Sequence, residues 1–178
     1  PGNVLPPMDL AYFVAVAGDR CPVVLVDAQA EGLTQSQLLR RIEDEAPDLI
    51  VVKGVLNILE HDLEGPRRYQ ESHPETEIVL SCRGAVEAEA ALFAEFPFVD
   101  GLARGEIDAF AGDLADGLPL DRIEGMSTPG VASTRFRVVD DLDAHPIPAW
   151  DALPDLWGQG YGMPYQGVPS GYMLTASR

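Results

Sequence analysis

Short unbroken runs of branched apolar residues recur along the chain, each followed by a stretch with helical spacing. Val23-Val24-Leu25-Val26, Leu49-Ile50-Val51-Val52 and Ile78-Val79-Leu80 show no polar alternation, so each reads as a strand buried on both faces. They recur at steps of about 25–30 residues, the spacing of βα units in a parallel sheet. Helices on both faces of the sheet would hide such strands. The expected fold class is α/β, a doubly wound parallel sheet of the Rossmann or flavodoxin type.

Taken in order, Pro6-Pro7 sits where a helix can begin, since proline is tolerated in a first turn. Leu10, Phe13, Val14 and Val16-Ala17 then predict a helix ending at Gly18. Cys21–Val26 is the first expected strand. Thr34 can cap the next helix, whose buried stripe is Leu38, Leu39 and Ile42. A second strand over Asp48–Lys53 ends at Gly54. Residues 59–73 are polar and predict an exposed helix interrupted near Gly65-Pro66. Glu77–Ser81 is a third strand, Ala85–Phe96 a helix, Val99–Ala103 a short strand and 107–118 a last helix. Ile123–Val139 suggests two short strands joined near Pro129-Gly130.

From Asp140 the chain turns rich in proline, glycine and aromatic residues. Three regions are expected: an α/β domain over 1–122, a short β extension and linker over 123–153, and a lead into a further domain over 154–178. A doubly wound sheet usually opens with a central strand before its first helix. Here the helix comes first, so the sheet is expected either to draw on upstream residues or to be completed in another way.

Charge narrows the partners. The net charge is −17 over 178 residues, with a single lysine, Lys53. Phosphate contacts need clustered lysine and arginine, so nucleic acid is excluded as a partner, and anionic membrane surfaces are disfavoured with it. No apolar span is long enough for a membrane helix and no basic-then-apolar leader opens the sequence. A soluble, cytoplasmic protein with a sizeable core is expected, 46% of its residues being hydrophobic. Cys21 and Cys82 match no metal spacing and read as reduced thiols.

Ligands of open α/β sheets bind outside the carboxyl ends of the strands. The candidates there are Asp27, Gln29 and Gly32, then Gly54, Val55 and Leu56, then Ser81 and Cys82, and finally Gly105 and Glu106. Asp27 can cap the turn that follows or orient Gln29. Gly32 suits a turn with φ > 0 or a close ligand approach, and the two are compatible. Ser81 and Cys82 read first as packing residues. Arg104-Gly105-Glu106 can hold a turn or touch a ligand. His61, His73 and His145 have no ligand spacing and read as surface residues. Trp150, Trp157, Tyr161 and Tyr165 read as pins holding the linker to the domain.

Five stretches together resemble a known family. Asp27-x-Gln29-x-x-Gly32 resembles the Asp-x-His-x-x-Gly loop of cobalamin-binding domains, with glutamine replacing histidine. Pro6-Pro7-Met8-Asp9-Leu10-Ala11-Tyr12 and Leu102-Ala103-Arg104-Gly105-Glu106 are similar to a Pro-Pro-Leu-Gly-Leu-Ala-Tyr helix entry and a Val-Arg-Gly-Glu turn. Leu142-Asp143-Ala144-His145-Pro146-Ile147-Pro148-Ala149-Trp150-Asp151-Ala152-Leu153 looks like the interdomain linker, and Leu174-Thr175-Ala176-Ser177-Arg178 like the strand leading to a Cys-x-x-x-Cys-x-x-Cys cluster motif. The order and extent of these motifs resemble the N-terminal part of class B, cobalamin-dependent radical SAM enzymes. Ser81-Cys82-Arg83-Gly84 and Lys53-Gly54-Val55 depart from that pattern, which often has Gly-Gly and Ser there.

The resemblance implies a cobalamin-binding domain in which Gln29, a poor cobalt ligand, leaves the lower face without a nitrogen donor (base-off, His-off). It implies that a downstream radical SAM domain, or a separate chain, would add a [4Fe-4S] cluster and S-adenosylmethionine for methyl transfer by way of methylcobalamin, the cofactor carrying the hard chemistry. The 178 residues hold no such cysteine cluster, and on their own are expected to be inactive. Two alternatives stay open: a degenerate domain of the same fold acting as a structural or interaction module, and a receiver-like domain using Asp27 and Lys53.

Overall fold

The computed structural model describes residues 5–154 and 161. Its centre is a sheet in the order β1-β2-β3-β4, formed by β1 (Leu49–Lys53), β2 (Glu77–Ser81), β3 (Gly101–Ala103) and β4 (Met126–Ser127). The first three are parallel, with Leu49 opposite Glu77 and Val79 opposite Gly101, and β4 closes one edge antiparallel to β3. This is an α/β fold compatible with the Rossmann type.

The apolar runs are unbroken because each face of the sheet has its own core. Leu49, Val51, Val79 and Ala103 point to one side, against Phe13, Ala17, Ile107, Phe110 and Leu114. These come from α1 (Met8–Ala17), α5 (Ala111–Ala115) and the 3₁₀ turn before it. Ile50, Val52, Ile78, Leu80 and Leu102 point to the other, against Leu59, Leu63, Ala85 and Leu92. They meet α3 (Leu59–Gln70), α4 (Glu89–Glu95) and the 3₁₀ turn before α4. Alternate residues of one strand thus serve different cores.

α2 (Gln35–Glu45) opens on a reciprocal cap, Thr34 accepting from the Gln37 N–H while the Gln37 side chain accepts from the Thr34 N–H. Such a pair satisfies two otherwise orphaned donors. The helix packs on α3, where Gly65 lets Leu38 approach: a Cβ there would stand 3.1 Å from Leu38 Cδ2.

Two expectations are corrected. The helix expected to break at Gly65-Pro66 runs through both residues, and Leu59, Leu63, Gly65, Pro66 and Tyr69 are buried. Proline removes one backbone hydrogen bond at a cost of about 3 kcal/mol, and burial of this face offsets it. The second correction is at Cys21–Val26, which belongs to no strand. Its side chains find neighbours, Val23 in the core beside α1 and Leu25 beside Ala11. Among the described residues its backbone pairs with no strand.

Beyond β4, Thr128 and Val131 exchange two backbone hydrogen bonds of 3.0 and 2.9 Å around Pro129-Gly130, with Gly130 at φ +82°. Proline then glycine is what a type II turn requires. The expected second strand is reduced to one parallel bridge, Gly105 to Arg137. The linker returns to α1, where the Ala149 N–H donates to the Ala11 carbonyl at 3.0 Å and Leu153 and Tyr161 bury against Ala11. Trp157 and Tyr165 lie outside the described residues, as does the stretch over 174–178. Among the described residues no helix is long and apolar enough to cross a membrane.

Candidate functional site

Two contacts fix which loops share an end of the sheet. Lys53 Nζ reaches Asp9 Oδ1 at 2.6 Å, so the first turn of α1 lies at the carboxyl end of β1. Arg20, just past α1, meets Asp116, just past α5, also at 2.6 Å. α1 therefore runs from the carboxyl to the amino end, and residues 21–27 return the other way. Asp27 comes to the same edge as Lys53-Gly54-Val55 and Ser81-Cys82.

The Asp27 loop is built from its own backbone. Asp27 Oδ1 accepts the Ala30 N–H at 3.0 Å, the Asp27 carbonyl accepts from Glu31 at 2.9 Å, and the Ala28 carbonyl accepts from Leu33 at 2.8 Å. An aspartate bonding to amides just downstream is a standard turn device. Gly32 closes the turn at φ +65°, and no atom lies within 4 Å of where its Cβ would stand. Asp27 Oδ2 accepts the Tyr161 hydroxyl at 2.9 Å. Burial first, then the Asp27 carboxylate, pushes that phenol well above its ordinary value, so it stays a donor. Both carboxylate oxygens are committed to capping and anchoring. Gln29 is exposed, and Asp27 makes no hydrogen bond to it.

At the end of β1 an apolar shelf follows. Val55, Leu56 and Ile58 are 53%, 54% and 52% exposed, and Leu56 lies over Gly84 in the loop after β2, whose Cβ would stand 3.1 Å from Leu56 Cδ2. The Val55 N–H donates to Asp62 Oδ2 at 2.9 Å, and burial holds the Asp62 carboxyl above its usual range. Gly54 is fixed by packing, because a Cβ would lie 2.5 Å from Leu59 Cδ1 and 2.8 Å from Leu80 Cδ1. Ser81 is half-buried. Cys82 is buried in the core with Leu59 and Leu80.

Gly105 and Glu106 serve the neighbouring loop. The Arg137 N–H donates to the Arg104 carbonyl at 2.8 Å, the Glu106 N–H to the Arg137 carbonyl at 2.9 Å, and the Val139 N–H to Glu106 Oε2 at 3.1 Å. Arg137 also pairs with Asp113 and lies 5.2 Å over the Phe110 ring. Gly105, at φ +151°, has no room for a Cβ beside the Arg137 carbonyl.

Three long-range polar contacts had no signal in the sequence. Arg104 Nη1 donates to Glu89 Oε2 at 3.0 Å and to the Val86 carbonyl at 3.1 Å, and Ser127 donates to the same Glu89 oxygen at 2.7 Å. His145 Nε2 lies 3.0 Å from Asp108 Oδ2, with side chains only 11% and 1% exposed. His145 is therefore a largely covered latch from linker to domain, not the surface residue expected. The third contact is Tyr161 with Asp27. His61 is exposed and bonded to Gln35, and His73 stacks on Tyr69 with ring centroids 4.1 Å apart.

Whether a corrin fits can be judged from this edge. Its rim offers the open turn at Gly32, the exposed amide of Gln29 and the apolar shelf of Val55 and Leu56, which suit a flat, largely apolar ring with amide groups on its border. Beneath the rim, Leu59, Leu80 and Cys82 already fill the space behind Gly54. The residue types at the rim are those such a ring would need, while the packed layer leaves no room there for a buried appendage. Among the described residues no group of three or more His, Cys, Asp or Glu side chains is placed to hold a metal ion.

Comparison with known protein families gives no match. The chain is 24% identical over 184 aligned positions to a protein of Pyrococcus horikoshii named as an uncharacterized methyltransferase. The match covers 98% of this chain and 39% of that protein, so the chain spans about two fifths of the length of the relative it matches. It is an α/β chain with a distant relative that carries a methyltransferase name.

Proposed function

We propose that this chain is the cobalamin-docking portion of a B12-dependent radical SAM methyltransferase. The observation that carries the reading is the convergence at one sheet edge of an open Gly32 turn, an exposed Gln29 amide and the Val55–Leu56 shelf. The methyltransferase name of the Pyrococcus horikoshii relative supports it, as does the order of the five family-like motifs. When bound, the cofactor would supply a cobalt centre able to carry a methyl group. The part of this chain is to bind and orient. Gly32 would let the ring approach the backbone, Val55 and Leu56 would cover its apolar surface, and Gln29 would present a neutral amide in place of an imidazole donor. The iron-sulfur cluster and S-adenosylmethionine would belong to a radical SAM domain elsewhere in the enzyme.

The test is an anaerobic titration of the full-length protein with hydroxocobalamin, followed by visible spectroscopy. Binding with a base-off spectrum is expected. Gln29→His should move that spectrum toward a nitrogen-ligated form, whereas Gln29→Ala should leave it unchanged. Absence of binding by the full-length protein would sink the reading.

A second reading has its own observation. Leu59, Leu80 and Cys82 pack the space behind Gly54, as they would in a domain of this fold kept as a structural or interaction module. Tight corrin binding would remove it.

A further inference from the structure

The loops at the carboxyl edge of the sheet close against one another. Between β1 and β2, Leu56 lies over Gly84, whose Cβ would stand 3.1 Å from Leu56 Cδ2 and 3.3 Å from Leu56 Cβ. Beneath that junction Leu59, Leu80 and Cys82 are buried, and a Cβ on Gly54 would collide with the first two. Between β2 and β3, Arg104 Nη1 spans the gap, donating both to the Val86 carbonyl and to Glu89. Beyond β3 the Arg137 carbonyl stands against Gly105. At the Asp27 turn the Tyr161 hydroxyl makes the fourth closure. A groove of about 390 Å³ does exist among the described residues, but Gln70, Pro74, Phe98 and Asp100 place it at the amino end of β2 and β3.

What the described residues leave at this edge is a surface rather than a slot. Its apolar part is Val55, Leu56 and Ile58, each about half exposed. Its polar part is the exposed Gln29 turn. Such a surface can meet one face of a flat ring, but it offers no walls to a second group hanging from that ring. Cobalamin has such a group, a nucleotide whose base ligates cobalt from below in the free cofactor.

We propose that this rim recognises the corrin ring alone and leaves the nucleotide appendage outside the protein. The inference rests on the cobalamin reading above and widens its ligand class to corrinoids with or without a nucleotide. The direction of preference follows from competition at cobalt. A ring that lays its lower face on the Gln29 turn must first release its own base. Only the base-off fraction then competes for the rim, and apparent affinity falls by that fraction. A buried appendage would offset the loss with new contacts, whereas one left in solvent returns nothing. Cobinamide has the same ring and no nucleotide base, so it bears no such loss.

Parallel anaerobic titrations of the protein with hydroxocobalamin and with aquacobinamide, read by visible spectroscopy and by competition between the two, test it. Cobinamide should bind at least as tightly as cobalamin. Leu56→Ser should weaken both by the same factor, roughly tenfold, because both would lose the same apolar contact. Cobalamin binding about tenfold or more tighter than cobinamide would overturn the inference and leave the cobalamin reading standing. A Leu56→Ser loss confined to cobalamin would do the same. Binding of neither corrinoid would overturn both.

Discussion

Gly105 shows how a single atom can decide a local structure here. Its φ of +151° and the Arg137 carbonyl against its α-carbon leave no place for a side chain. Gly105→Ala should lower stability by roughly 2–4 kcal/mol in urea unfolding and release residues 137–139 to solvent. His145 is a second such point. It faces Asp108, which is 2% exposed, and its loss would take away one partner of a buried carboxylate. His145→Ala should cost about 1–3 kcal/mol and make the linker more sensitive to limited proteolysis, whereas His145→Gln should recover part of the loss. Glycine in a five-residue turn motif was legible from the sequence. The histidine was not, because its partner lies 37 residues away and nothing in local spacing pairs them. Asp27 was half legible: its capping role follows from aspartate chemistry, its bond to Tyr161 does not.

At the scale of elements, runs without polar alternation marked β1 and β2 correctly, because burial on both faces leaves a compositional trace. The same trace at Val23–Val26 promised a strand that is not formed. A strand needs neighbouring backbone as well as apolar side chains, and composition reports only the second. The α3 helix errs in the opposite sense: Pro66 argues for a break, and packing of Leu38 into the Gly65 gap outweighs it. β2 carries a pH-dependent element. Burial, then the nearby Asp100 carboxylate, raises the Glu77 carboxyl above its ordinary value. The folded state thus holds that proton more tightly than the unfolded chain, so this group lowers stability above its raised pKa, and the penalty fades as pH falls through it. Glu77→Gln should raise stability at pH 7 by no more than about 0.5 kcal/mol, as for other exposed positions. The gain should vanish near pH 4 in parallel unfolding titrations.

For the whole molecule, a charge of −17 means self-repulsion in the compact state. Raising salt from about 0.01 M to about 0.15 M shortens the screening length from about 30 to about 8 Å, so thermal unfolding should shift upward over that range. The same long-range organisation bears on how the protein is made. The Tyr161 hydroxyl reaches back across 134 positions to Asp27, and closing so long a loop is entropically slow to be repaid. During synthesis the βα units on either side of β1 and β2 can form as they emerge. The turn that presents Gln29 cannot receive its second anchor until residue 161 has left the ribosome. A nascent chain would thus carry its sheet well before it carries a finished rim.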